Sequence, residues 1–113
     1  MKLFRRGGRE AVGLRRKPGP AESHLTEFAQ THAGVEAFVE PPTAVSTVTV
    51  VFVATTGEWT RRAVPSAAAA HDLANRLGIP SYDAAVVGYP QRMRDWNSRK
   101  AAEEKAERRR LDG

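Results

Sequence analysis

Ten residues near the middle of the chain, Val45–Ala54, most constrain what it can become. They are rich in Val, Thr and Phe, whose branched and aromatic side chains suit a pleated strand. Alternation puts Val48, Val50 and Phe52 on one face and Val51 and Val53 on the other. A sheet with one wet face alternates apolar with polar residues, so a strand apolar on both sides needs cover on both sides. Helices of the same chain can supply that cover, or a second copy of the chain can supply part of it as a homodimer.

The flanking segments read as partners for this strand. In Val35–Glu40, Val35, Ala37 and Val39 face one way and Glu36, Phe38 and Glu40 the other, and Pro41-Pro42 ends the run. Thr56-Gly57 signals a turn, after which Trp59–Val64 returns antiparallel. Trp59, Arg61 and Ala63 share one face of it, and Thr60, Arg62 and Val64 the other. One arginine of the pair therefore approaches an acid such as Glu36 or Glu40, while the other meets solvent.

Helices bracket these strands. Ala21–His32 places Leu25, Phe28, Ala29 and His32 on one face at helical spacing, with Pro20 suited to the first turn and Gly34 to a left-handed cap. Ala67–Leu77 starts after Ser66, a good N-cap, and buries Ala70, Leu73, Ala74 and Leu77. Gly78, Ile79 and Pro80 then read as a cap, a hydrophobic contact and a stop. Tyr82–Val87 fits either a short strand or a short helix. From Gln91 a charged helix runs toward Arg110, its apolar content confined to the first turns, its far end projecting into solvent and fraying. The expected fold is thus α+β: an α-β-β-β-α core with a three-stranded antiparallel sheet, plus a charged C-terminal helix. Residues 1–20 form a flexible basic arm, 21–90 a single α+β domain and 91–113 the charged helix.

Charge divides along the same boundaries. The net charge of +5 resolves into about +6 over residues 1–20, −4 over 21–90 and +3 over 91–113. The ends are basic and the body acidic, so a nucleic-acid partner would have to be met by the ends. The chain has no cysteine, which removes disulfide and thiol chemistry. No segment has the apolar length of a membrane helix, and the basic Met1–Arg6 is followed by Gly7, Gly8, Arg9 and Glu10 where a leader would be apolar. A cytoplasmic location is expected, and a membrane partner is not.

The order helix, three strands, helix over residues 21–78 resembles the double-stranded-RNA-binding domain. His24-Leu25-Thr26-Glu27-Phe28-Ala29-Gln30 is similar to the first-helix phrase of that family, and Ser66 with Ala67–Ala70 falls where its second helix opens. The resemblance implies the topology. The family's Gly-Pro-x-His loop is replaced by Pro41-Pro42-Thr43-Ala44, and its lysine-rich phosphate clamp by Ala67–Ala70. Duplex RNA is held mainly through phosphate, 2′-hydroxyl and shape, so these departures remove the expected contacts from that surface. Gly57-Glu58-Trp59-Thr60-Arg61-Arg62 and Val87–Trp96 also resemble a family of small uncharacterised actinobacterial proteins, which implies no activity.

No catalytic motif is visible. There is no Gly-x-Ser-x-Gly elbow and no glycine-rich loop between strand and helix. His24 and His32 stand about 12 Å apart along their helix, too far to share a metal directly. The expectation is a non-enzymatic binding module without cofactor or metal, associating with RNA or a ribonucleoprotein. The contacts would be Arg5, Arg6, Arg9, Arg15, Arg16 and Lys17 of the arm, with Arg92 and Arg94. The alternative is a protein-interaction adaptor using Tyr89, Met93 and Trp96, which share a helical face. The plainer reading of that face is that it docks the last helix on the sheet and leaves Arg92 and Arg94 in solvent.

Overall fold

A computed structural model describes residues 17–113. The elements are α1 (Pro20–Thr31), β1 (Glu36–Glu40), β2 (Thr49–Val53), β3 (Trp59–Ala63), α2 (Ala67–Arg76), β4 (Ser81–Asp83), α3 (Ala84–Val87) and α4 (Gln91–Asp112). The α+β class and the charged C-terminal helix are as expected. The sheet is not three-stranded and antiparallel: it has four strands in the order β3-β2-β1-β4, with β4 parallel to β1. Ser81–Asp83 is the fourth strand and Ala84–Val87 a helical turn, so the ambiguous segment is first one and then the other.

The middle strand is half as long as its composition suggests. Val45–Ser46 belongs to a hydroxyl-stabilised turn, with the Thr43 amide donating to the Ser46 carbonyl at 2.8 Å and the Ser46 amide to Thr43 Oγ1 at 3.1 Å. Local hydroxyl-to-backbone bonds of this kind compete with a strand ladder. Val45 is 95% exposed as a result. Regular pairing begins at Thr49, opposite Glu40 on one side and Ala63 on the other.

Both faces of β2 are covered. On one, Val50 and Phe52 join Val35, Ala37 and Val39 against Leu25 and Phe28 of α1 and Ala70, Leu73 and Ala74 of α2. On the other, Val51 and Val53 pack with Phe38, Ala84 and Met93, bordered by Trp59, Tyr82 and Tyr89. The alternation read from the strands is therefore the alternation of the two cores. The helix signals also act as expected. Pro20 opens α1, Ser66 Oγ accepts from the Ala69 amide at 3.0 Å, and Gly78 (φ 73°) ends the second helix while the Ile79 amide returns to the Ala74 carbonyl.

Helix α4 has 22 residues, so it is about 33 Å long. Its first two turns pack on the body, and Arg99 in the next turn makes the last contact. Residues 97–113 are exposed, as expected of an end that projects into solvent, and the helix runs to Asp112.

Candidate functional site

The outer sheet face, opposite α1 and α2, gathers most of the polar chemistry. Glu36, Phe38 and Glu40 alternate along β1 and all point to this side, and each carboxylate organises a cluster. Glu40 takes a two-pronged contact from Arg61, Nε to Oε1 at 2.9 Å and Nη2 to Oε2 at 3.0 Å. Its Oε1 also accepts from Thr49 Oγ1 at 2.5 Å, and Oε2 accepts from the Tyr89 hydroxyl. Glu36 receives Arg92 Nη2 at 2.5 Å and the Tyr82 hydroxyl at 3.3 Å.

These partners set the titration of the cluster. Burial pushes the Glu40 carboxyl up, but the hydrogen bonds from Arg61, Thr49 and Tyr89 outweigh it and hold the group below its usual range. The Tyr89 phenol is raised, by burial first and then by its bond to Glu40. The Tyr82 phenol is raised by the neighbouring Glu36 charge. Both phenols therefore stay neutral donors at ordinary pH.

Phe38 stands between the two clusters. Its ring centroid is 5.5 Å from that of Tyr82 and 6.1 Å from that of Tyr89, tilted in both cases. Glu36, Phe38, Tyr82, Val87, Gly88, Tyr89 and Pro90 line a cleft of about 200 Å³ there. Beyond Tyr89 a wider cleft of about 510 Å³ runs past Glu40, Thr49 and Arg61 to Pro41.

The segment from Tyr89 to Trp96 is what fastens α4 to this face. Met93 is buried in the second core, and Tyr89 and Trp96 are half-buried. Arg92 does not lie free in solvent. Its Nε donates to the Ala54 carbonyl at 2.9 Å and its Nη2 to Glu36, which ties α4 to the end of β2 and to β1. Arg94 is exposed but folds back, donating to the Tyr89 carbonyl and to Gln91 Oε1. Trp96 lies under Arg99 and Lys100, with the cations 5.6 and 5.3 Å from the ring centroid. Lys17 is exposed and borders a groove between the start of α1 and α2. Arg5, Arg6, Arg9, Arg15 and Arg16 lie outside the described residues.

The arginine pair of β3 divides as its alternation requires. Arg61 reaches Glu40, and the exposed Arg62 turns to Thr60 and His24 on the other side. The histidines all have partners: His24 with Thr60, His32 with Glu58 while stacked on Phe28, and His71 with both Ser81 and Asp83. The Ser81–His71–Asp83 trio, at 2.7 and 3.3 Å, arises because Ser81 and Asp83 share the face of β4 that meets α2. Neither His71 nor Ser81 lines either outer-face cleft. No three metal-ligating side chains converge among the described residues. No helix among them is long and apolar enough to cross a membrane.

The Glu36–Arg92 pair was the part missed by sequence reasoning. The two residues lie 56 positions apart, and no spacing rule connects them. The signal that could have found them was the pair of acids beside Phe38 on the outer face of β1, which had to be matched by cations from elsewhere. No protein-family model, curated protein or solved structure matches this chain.

Proposed function

We propose that the protein is a non-enzymatic binding module that associates with RNA or a ribonucleoprotein by phosphate neutralisation, its α+β body holding basic extensions in place. The observation that carries this reading is the charge pattern of the free half of α4. At about 100° per residue, Lys105, Arg108 and Arg109 fall on one side with the small Ser98, Ala101 and Ala102, bordered by Glu104, while Glu103 and Glu107 fall opposite among Arg99, Lys100 and Arg110. A basic stripe along one helix face, with small residues that permit close approach, suits a phosphate backbone. The body itself is acidic, and Arg92 is occupied by Glu36. The ends must therefore carry the contact: residues 1–17 and the stripe of α4.

The test is fluorescence anisotropy with labelled single-stranded and duplex RNA over a range of salt. Binding should weaken steeply with salt, and K105A/R108A/R109A should lower the log–log slope by roughly 0.7 to 0.9 per lost contact. Unchanged affinity and slope in that triple variant would refute the role of α4.

A second reading, a protein-interaction adaptor, is supported by Val86 and Val87. They are 80% and 55% exposed on α3, beside a cleft lined by Pro41, Pro42, Val48 and Ala85. A salt-insensitive complex abolished by V86D would favour it.

A further inference from the structure

The cleft over Phe38 has a composition that phosphate binding does not use. Three aromatic rings and the Glu36 carboxylate border it, and no lysine or arginine is among its lining residues. We propose that this cleft is an aromatic cage for an N-methylated ammonium head group.

Cations bind the faces of aromatic rings through the ring quadrupole, and several rings around one site form the usual receptor for quaternary ammonium groups. Here Phe38 is the buried floor, with Tyr82 and Tyr89 beside it on either side. Each tyrosine hydroxyl donates to a carboxylate, Tyr82 to Glu36 and Tyr89 to Glu40. That arrangement pushes electron density into the rings and so strengthens their attraction for a cation. It also fixes the rings before any ligand arrives, which lowers the entropic cost of binding.

Size and charge narrow the ligand. A cleft of about 200 Å³ is smaller than the roughly 300 Å³ at which drug-sized sites begin, so it takes a head group and leaves the remainder outside. Arg92 already shares the Glu36 charge. Recognition must therefore rest on ring faces more than on ion pairing. A bare ammonium is strongly hydrated and needs hydrogen-bond acceptors in exchange for water. An N-methylated cation needs none, and its methyl groups can lie against the rings.

Two sources carry this chemistry: a free choline-like molecule and a methylated lysine side chain of another protein. The experiment is a titration of the full chain followed by the aromatic NMR resonances of Phe38, Tyr82 and Tyr89. Choline is compared with its neutral isostere 3,3-dimethylbutan-1-ol, and a short peptide carrying trimethyllysine with the same peptide unmodified. Choline should shift the three rings saturably, with the neutral isostere about tenfold weaker or more. Y82A should weaken choline to a similar degree, whereas Y82F, which keeps the ring, should stay within about threefold. If the trimethyllysine peptide binds more tightly than choline, the source is a protein tail; the reverse order indicates a free metabolite, and either order supports the cage. Equal binding of the charged and neutral isosteres would overturn the proposal, as would saturable shifts confined to other residues or no saturable shift at all. The isostere comparison uses the unaltered chain, so it decides the matter even where a variant fails to fold.

Discussion

The indole Nε1 of Trp59 donates to the side-chain carbonyl of Asn97 at 2.7 Å, joining the outer edge strand β3 to α4. Together with the bond from Arg99 Nη2 to the Thr56 carbonyl at 3.2 Å, this is the last attachment before the helix leaves the body. Asn97→Ala removes one neutral hydrogen bond at an exposed site and should cost about 0.5–1 kcal/mol. The larger effect is local. Amide hydrogen exchange in the first two turns of α4 should accelerate, while that of β2 stays unchanged.

Gly57 allows α4 to come this close. It has φ of 94°, and a Cβ there would stand 2.0 Å from the Arg92 carbonyl oxygen. Both the left-handed backbone and the backbone contact penalise any side chain. Gly57→Ala should therefore destabilise the fold by roughly 1–3 kcal/mol, read as a drop in the urea midpoint. A variant as stable as the parent would show that α4 does not sit against the β2–β3 turn.

These contacts show what could be read from the residues and what could not. The two faces of β1, β2 and β3 followed from alternation, because each strand has enough residues for a period of two to be visible. Ser66, Pro20 and Gly78 marked helix ends because their chemistry is local. Ser81–Asp83 could not be recognised as a strand, since three residues show no period and its partner Ala37–Val39 lies over forty positions earlier. Val45 and Thr47 looked like strand because their branched side chains favour it, but the Thr43–Ser46 turn diverts the backbone first. At the candidate site, the docking role of Met93 was legible from helical spacing, whereas Tyr89 packs on the same face from the segment before the helix, which opens only at Gln91. The engagement of Arg92 by Glu36 and the ring cluster around Phe38 depend on the parallel strand and were not legible.

Acid should weaken the fold through Glu40. Its carboxyl is held below the ordinary value of 4.5 in the folded chain, so its contribution is complete above about pH 4.5 and is lost as pH falls through the folded value. Arg61→Met removes the strongest of the opposing hydrogen bonds and leaves the burial. The Glu40 pKa should then rise in the folded chain, and the stability lost between pH 7 and pH 3 should be smaller than in the parent. Urea midpoints measured from pH 7 to pH 3 check both statements; superimposable profiles for Arg61→Met and the parent would contradict them.

Tyr89→Phe tests the same cluster without changing charge. It deletes the hydroxyl that donates to Glu40 while keeping the ring beside Phe38. The expected loss is about 1.5–3 kcal/mol, the range for a hydrogen bond to a charged group. Thermal unfolding at pH 7 should show it clearly, and the difference should shrink in acid as Glu40 becomes protonated.

Phe52 is fully buried in the core under α1 and α2. Phe52→Ala should cost about 3–5 kcal/mol, a large part of the total for a domain of this size. Calorimetry would register it as a fall in melting temperature far exceeding that of Asn97→Ala.

The parallel seating of β4 bears on the order in which the structure can assemble. The first three strands are neighbours in sequence and can zip together as a meander once residue 63 is available. The remaining edge of β1 must wait for Ser81–Asp83, which arrives only after α2 has crossed the sheet. Long-range pairing of this kind is slow because chain closure precedes its reward. During synthesis, then, one flank of the sheet stays unzipped until late. Tyr82, Tyr89 and α4 are added to a body whose first three strands are already paired, so on this order the outer face is the last part of the molecule to mature.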